Sequence, residues 1–198
     1  MRPHSRFTTV FGYFLAATFL FTASCSNSLY KVKPLSALAS LPANSPTANL
    51  GVISFRAAPL LTDEETQELF ESNLLLAGLL PVRVEIVHNG GEAVELKKVR
   101  FHLRDATGTQ WQTISVKQAI ARILKANGVF AYNPNSRKQF EKDVRAYELN
   151  LKSPLTHEER RREGIMFFLS PKNEAVASPH GLTMTIDGLP QPATLELN

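Results

Sequence analysis

The sequence predicts a mainly β protein: an antiparallel two-sheet β-sandwich with a short N-terminal helix and a two-helix insertion. Three observations carry that expectation. Apolar and polar residues alternate over 82–86, 99–103 and 182–186, the period of strands with one face in a core. Turn formers separate these runs, as in Asn89-Gly90-Gly91, Asp105-Ala106-Thr107-Gly108 and Asp187-Gly188. Two stretches between the early and late strands change to helical spacing.

In chain order, Val52, Ile53 and Phe55 open the folded part near Gly51. Thr62-Asp63-Glu64-Glu65 is a capping box, with a hydroxyl for the free amides and a glutamate three residues on. It starts a helix of about ten residues ending at Phe70, and its acids suit the positive end of the helix dipole. Val82, Val84 and Ile86 then point to one face, with Arg83 and Glu85 on the other, up to the turn at 88–91. Val94 and Leu96 follow. A phase slip across Lys97-Lys98 predicts a bulge or a crossing between sheets before Val99, Phe101 and Leu103. These three alternate with Arg100, His102 and Arg104, and the next turn leads to Trp111.

Ser115 caps a helix with Val116, Ile120, Ile123 and Leu124 on one stripe, closed by Asn127-Gly128. A second helix, 136–147, sets Phe140 and Val144 four apart beneath a charged face. The insertion therefore spans about 115–149. Ile165 to Leu169 forms a late strand, followed by Leu182-x-Met184-x-Ile186 and a last strand at Leu195 and Leu197.

The start of the chain carries a different signal. Arg2 and Arg6 precede an uncharged stretch, 7–23, rich in Phe, Leu, Val and Ala. Thr22-Ala23-Ser24 then leads to Cys25, the single cysteine. This layout predicts a secretory leader, 1–24, ending in a lipobox, with Cys25 acylated by palmitate-type chains as the first mature residue. Removal of 24 from 198 residues leaves 174, enough for one domain. Residues 25–49, rich in Ser and Pro, are expected to be a flexible tether, with loose packing of Leu29, Tyr30, Leu35, Leu38 and Leu41 on the domain or the membrane as the alternative, and 50–198 the domain. Localisation follows: the bacterial cell envelope, on the periplasmic face of the outer membrane where the host has two membranes.

Composition narrows the function. The formal charge is +4 for the whole chain and, without Arg2 and Arg6, 20 Lys+Arg stand against 18 Asp+Glu. That balance gives no footprint for nucleic acid. The Arg160-Arg161-Arg162 run lies beside Glu158, Glu159 and Glu163, which predicts a solvated, self-neutralised loop. There is no H-E-x-x-H, no G-x-S-x-G and no Gly-rich phosphate loop. No cofactor or metal is expected, and the histidines are expected on the surface. The alternative is an envelope hydrolase or metal-dependent enzyme assembled from scattered residues such as His102, His157 and Glu163.

One segment stands out as a place for contact with a partner. Tyr132-Asn133-Pro134-Asn135-Ser136-Arg137 sets an aromatic and an arginine among turn formers between the two helices, and loops on a rigid scaffold often carry binding residues. Tyr132 and Arg137 are the candidate partner-binding residues. The expected contacts are the membrane, through the anchor, and an envelope protein.

A resemblance adds to this. Residues 80–86, the 89–91 turn, Val94, Leu96 and Phe101-x-Leu103-x-Asp105-x-x-Gly108-x-x-Trp111 resemble the opening hairpins of immunoglobulin-like sandwiches in bacterial envelope proteins. Glu163 to Phe168, through Pro171, is similar to their late strand. The resemblance, to uncharacterised bacterial envelope lipoproteins with an immunoglobulin-like β-sandwich domain, implies a fold and brings no catalytic residues. The sequence therefore points to a lipid-anchored, non-catalytic binding or scaffolding module.

Overall fold

A computed structural model describes residues 29–129 and 133–198. The leader, Cys25 and Tyr132 lie outside them. Eight strands carry the architecture: β1 (Thr47–Leu50), β2 (Ile53–Pro59), β3 (Leu79–His88), β4 (Arg100–Arg104), β5 (Gln110–Ile114), β6 (Arg161–Leu169), β7 (Thr183–Asp187) and β8 (Ala193–Glu196). Three helices accompany them: α1 (Asp63–Phe70), α2 (Val116–Ala126) and α3 (Pro134–Arg145).

The mainly β class and the antiparallel pairing hold, but the strands do not divide into two sheets. They form one sheet in the order β1-β2-β3-β6-β5-β4-β7-β8, and its edges β1 and β8 approach each other in a barrel-like curl. The join is β5. Its first residues pair with β4 (Leu103 with Trp111), and its last pair with β6 (Ile114 with Phe167). A strand shared between both halves makes the sheet continuous.

Inside the curl lies the first core. It takes the alternate residues Leu80, Val82, Val84 and Ile86 of β3, Phe101 and Leu103 of β4, and Met184 and Ile186 of β7. Phe55 meets Phe101 edge-on at 6.1 Å between ring centres. The expected inward set, Val84, Ile86, Phe101 and Leu103, is buried throughout.

A second core sits outside the sheet, beneath the helices. Leu79 of β3 and Ile165, Phe167 and Leu169 of β6 meet α1, α2 and α3 there. The insertion is thus a layer on the outer face of β3 and β6. The expected capping box forms at Thr62/Glu65, and the Ser115 cap proves to be a box as well, closed by Gln118. The second helix starts earlier than expected, because Asn133 caps it through the Asn135 amide with Pro134 in its first turn.

Several expectations are corrected. The 88–91 turn does not close a hairpin, since β3 pairs with β2 and β6. Lys97-Lys98 is a turn, closed by the Val99 amide on the Leu96 carbonyl. The described part of the expected tether, 29–49, lies against the domain: Leu41 is buried, Leu29 to Leu38 pack on the second core, and β1 pairs with β2. Its apolar residues cover surface that the helices leave open.

The Arg160–Arg162 run is neutralised by its own acids as expected, Arg161 by Glu163 and Arg162 by Glu159. Arg160 and Arg161 are exposed, but the run is not a loop, because β6 begins at Arg161. Arg162 is buried and donates to the carbonyls of Asn150, Ser153 and Pro154 and to the Glu159 carboxylate. One guanidinium thereby fixes the crossing 147–159, whose Glu148 bridges β6 at Ile165 and whose Leu155 bridges Val94. Gly164 permits that crossing: a Cβ there would lie 2.5 Å from Leu149 Cα.

Candidate functional site

Arg83 and Glu85 were expected to face out or toward edge contacts, yet β3 is central and covered on both sides. On the outer face of β2, β3 and β6 the register aligns Arg56, Glu85 and Glu163 in one row. Glu85 accepts from Arg56 at 2.9 Å and pairs with Arg161. Glu163 accepts from Arg83 at 2.7 Å and from Arg161 at 3.3 Å. The N-terminal segment closes over this cluster: Arg83 donates to the Ala39 carbonyl and Arg56 to that of Pro42. Three guanidiniums hold two carboxylates, which leaves the cluster one positive charge in excess, and Arg83 Nε is buried without a hydrogen-bond partner among the described residues.

Tyr147 stands at the border between this cluster and the helices. Its hydroxyl donates to the Lys33 carbonyl, and its ring lies 5.5 Å from that of Phe70. Burial pushes its phenol up to about 12, with smaller opposing effects from Arg83 and Glu163. The cluster and Tyr147 together fasten the N-terminal segment to the sheet. Glu163, named as a catalytic candidate, works there as an ion-pair partner.

The remaining catalytic candidates sit elsewhere. His102, on β4, faces Asp187 of β7 at 3.3 Å and is half-exposed, and His157 is exposed in the crossing. Both were expected on the surface. His88 was too, but it is buried at the end of β3, with Nε2 3.0 Å from the Glu92 carbonyl. Among the described residues, no three His, Cys, Asp or Glu side chains form a metal-holding group.

An open cleft of about 350 Å³ separates the β4–β5 turn from the loop 170–180, with Trp111, Asp105 and His180 in its wall. Asp105 is tied into its own turn, chiefly through Oδ1. It accepts from the Thr107 hydroxyl at 2.6 Å, the Thr107 and Thr109 amides, and the Trp111 indole at 3.4 Å. The Thr107 hydroxyl above all holds its carboxyl below the usual carboxylate range. Its bonds shape the β4–β5 turn.

The insertion has a different character. α2 buries Val116, Ala119, Ile120, Ile123 and Leu124, and α3 buries Phe140 and Val144. Lys117 and Lys125 of α2 and Lys138, Lys142 and Arg145 of α3 are exposed. Among the described residues, none of the five meets a carboxylate within ion-pair distance, whereas Arg137 pairs with Glu141 at 2.6 Å. Of the sequence-predicted partner-binding pair, Arg137 is thus in the first turns of α3, half-buried, and Tyr132 lies outside the described residues. Cys25, the predicted acylation site, lies outside them as well.

The N-terminal segment enters at this same layer. Tyr30 stands edge-on to Phe140 of α3 at 5.3 Å, and the Lys33 amide donates to the Leu69 carbonyl of α1. Leu29, four residues after Cys25, already packs on the second core. Among the described residues, no helix is long and apolar enough to cross a membrane. Comparison with protein-family models, curated proteins and solved structures returns no match.

Proposed function

We propose that this chain is a lipid-anchored protein of the bacterial cell envelope, acylated at Cys25, and that its domain is a non-catalytic binding or scaffolding module. The observation that carries the proposal is the position of Cys25. It is the single cysteine, it follows a basic start and an uncharged apolar stretch, and it stands four residues before Leu29, the first described residue, which packs on the second core. A lone thiol in an oxidising compartment is a liability that acylation removes. The contacts of the described residues support the non-catalytic half: Glu163, Asp105 and Arg162 are each committed to holding the fold together.

The immunoglobulin-like likeness enters here as a likeness of strand sequences. The continuous curled sheet favours a barrel-like scaffold carrying a helical layer. In a two-membrane host, Ser26 after the cysteine favours the outer membrane, facing the periplasm. The expected partner is an envelope protein or the membrane itself.

Membrane fractionation of cells carrying Cys25→Ala tests the proposal. The substituted chain should leave the detergent-extractable fraction or keep its leader, because no acyl acceptor remains. An unchanged fraction together with an unchanged mass would sink it.

A further inference from the structure

We infer that the outward face of α2 and α3 rests on an anionic lipid surface, with the proposed anchor at Cys25 holding it there; the inference rests on that anchor.

Charge asymmetry is the first support. Residues 116–145 hold seven Lys+Arg against Glu141 and Asp143, a net charge of +5. From Cys25 onward, the rest of the chain holds 13 Lys+Arg against 16 Asp+Glu, a net charge of −3. A surface of negative headgroups attracts the first part and repels the second, which turns the helical layer toward the lipid. The five exposed cations Lys117, Lys125, Lys138, Lys142 and Arg145 supply the contact. Their carbon stems bury along the interface while their charges reach phosphate oxygens.

Placement is the second support. The chain leaves the leader and reaches the second core at Leu29, next to Tyr30 against Phe140 of α3. Four residues span at most about 14 Å. A lipid on Cys25 therefore brings the α3 side of the domain to within about two Debye lengths, each about 8 Å at physiological ionic strength. A long tether would let any face approach, and this short one selects the layer where it enters. The acidic helix α1 also borders the entry, but its nearest carboxylates are occupied. Glu68 holds Lys33 at 2.7 Å, Glu71 accepts from the Lys31 amide and Glu65 from the Leu61 and Thr62 amides.

The full chain, purified from membranes in detergent, is reconstituted into vesicles of phosphatidylcholine alone or with phosphatidylglycerol. A water-soluble acetylating reagent then reports each lysine by mass spectrometry. Lys97 and Lys98, exposed before β4 and away from the helical layer, are the internal standards. A basic side chain beside a charged leaflet gains roughly fivefold in local partitioning. Lys117, Lys125, Lys138 and Lys142 should therefore react about fivefold more slowly in the anionic vesicles only, and salt should remove the difference. Equal rates in both vesicles overturn the inference. Slow reaction in native membranes but in neither vesicle also overturns it, assigning the face to an acidic protein. The intact mass of the same sample reports the acyl chains separately. An acylated chain with unprotected lysines overturns the lipid surface and leaves the anchor standing, whereas an unacylated chain overturns both.

Discussion

Glu85→Gln removes one negative charge from the middle of the sheet and leaves the side chain's shape nearly unchanged. The Glu85 side chain is 3% exposed and is shared by Arg56 and Arg161, at 25% and 48%. Breaking a buried pair from one side costs about 3–5 kcal/mol, because a charge is left without compensation. Arg161 is exposed enough to turn to water, so the loss comes mainly from Arg56 and belongs at the low end, about 3 kcal/mol. For a domain of this size each kcal/mol moves Tm by about 2–4 °C, which gives a fall of about 6–12 °C. Unfolding followed through Trp111, the single tryptophan, measures it. A second variant guards the interpretation: Arg56→Leu/Glu85→Leu removes both charges and should recover part of the loss. A fall below about 2 °C for Glu85→Gln, or a double variant worse than the single one, would refute a stabilising role for the cluster.

Phe101→Ala empties the first core beside Phe55 and should cost about 3–5 kcal/mol, whereas His102→Ala, one residue on and half-exposed, should stay within about 0.5 kcal/mol; equilibrium urea unfolding of both variants checks the register of β4. Tyr147 should titrate late. Its folded pKa lies at about 12 against an ordinary value of about 10, so its contribution to stability is complete below pH 10 and is lost as pH rises through 12. Absorbance of the phenolate during an alkaline titration reports it, and Tyr147→Phe should delete the latest step; Tyr147 titrating at its ordinary value would contradict the burial of its phenol. Gly164→Ala should weaken the fold by several kcal/mol, since its methyl would meet the backbone of Leu149. A neutral effect on Tm would mean that 147–151 does not cross β6 so closely.

Much of the fold was legible in the sequence where a single physical rule decides the outcome. Period-two alternation located β4 and β7, because each has one face in the first core and one toward solvent. The hydroxyl-and-glutamate box located α1, and the Ser115 cap with its apolar stripe located α2, through purely local signals. Arg83 and Glu85 were misplaced for the opposite reason. Alternation says which residues share a face, but only tertiary structure says that the second face is covered. A clue existed: 79–87 is apolar apart from these two residues, the composition of a strand buried on both faces.

Long-range pairing was the other blind spot. The 88–91 turn carries hairpin residues, yet β3 spends its two edges on β2 and β6, and nothing local encodes that choice. Likewise, Ser and Pro in 25–49 suggested a tether, while Leu29, Tyr30, Leu35, Leu38 and Leu41 held the information that the segment packs. For the candidate site, the basic stripe of α3 was visible as residues four and three apart. Lys117 and Lys125 joined it only when α2 and α3 were found in one layer on the second core.

The intact mass of the chain extracted from cell membranes tests the central proposal most directly. Acylation at Cys25 predicts a polypeptide of 174 residues, lacking 1–24, with a mass excess that resides entirely in the N-terminal peptide. At least two chains should be present, because a single chain binds membranes only marginally at about 0.8 kcal/mol per buried methylene. A chain beginning at Met1, or a free Cys25 thiol on the extracted protein, would contradict it.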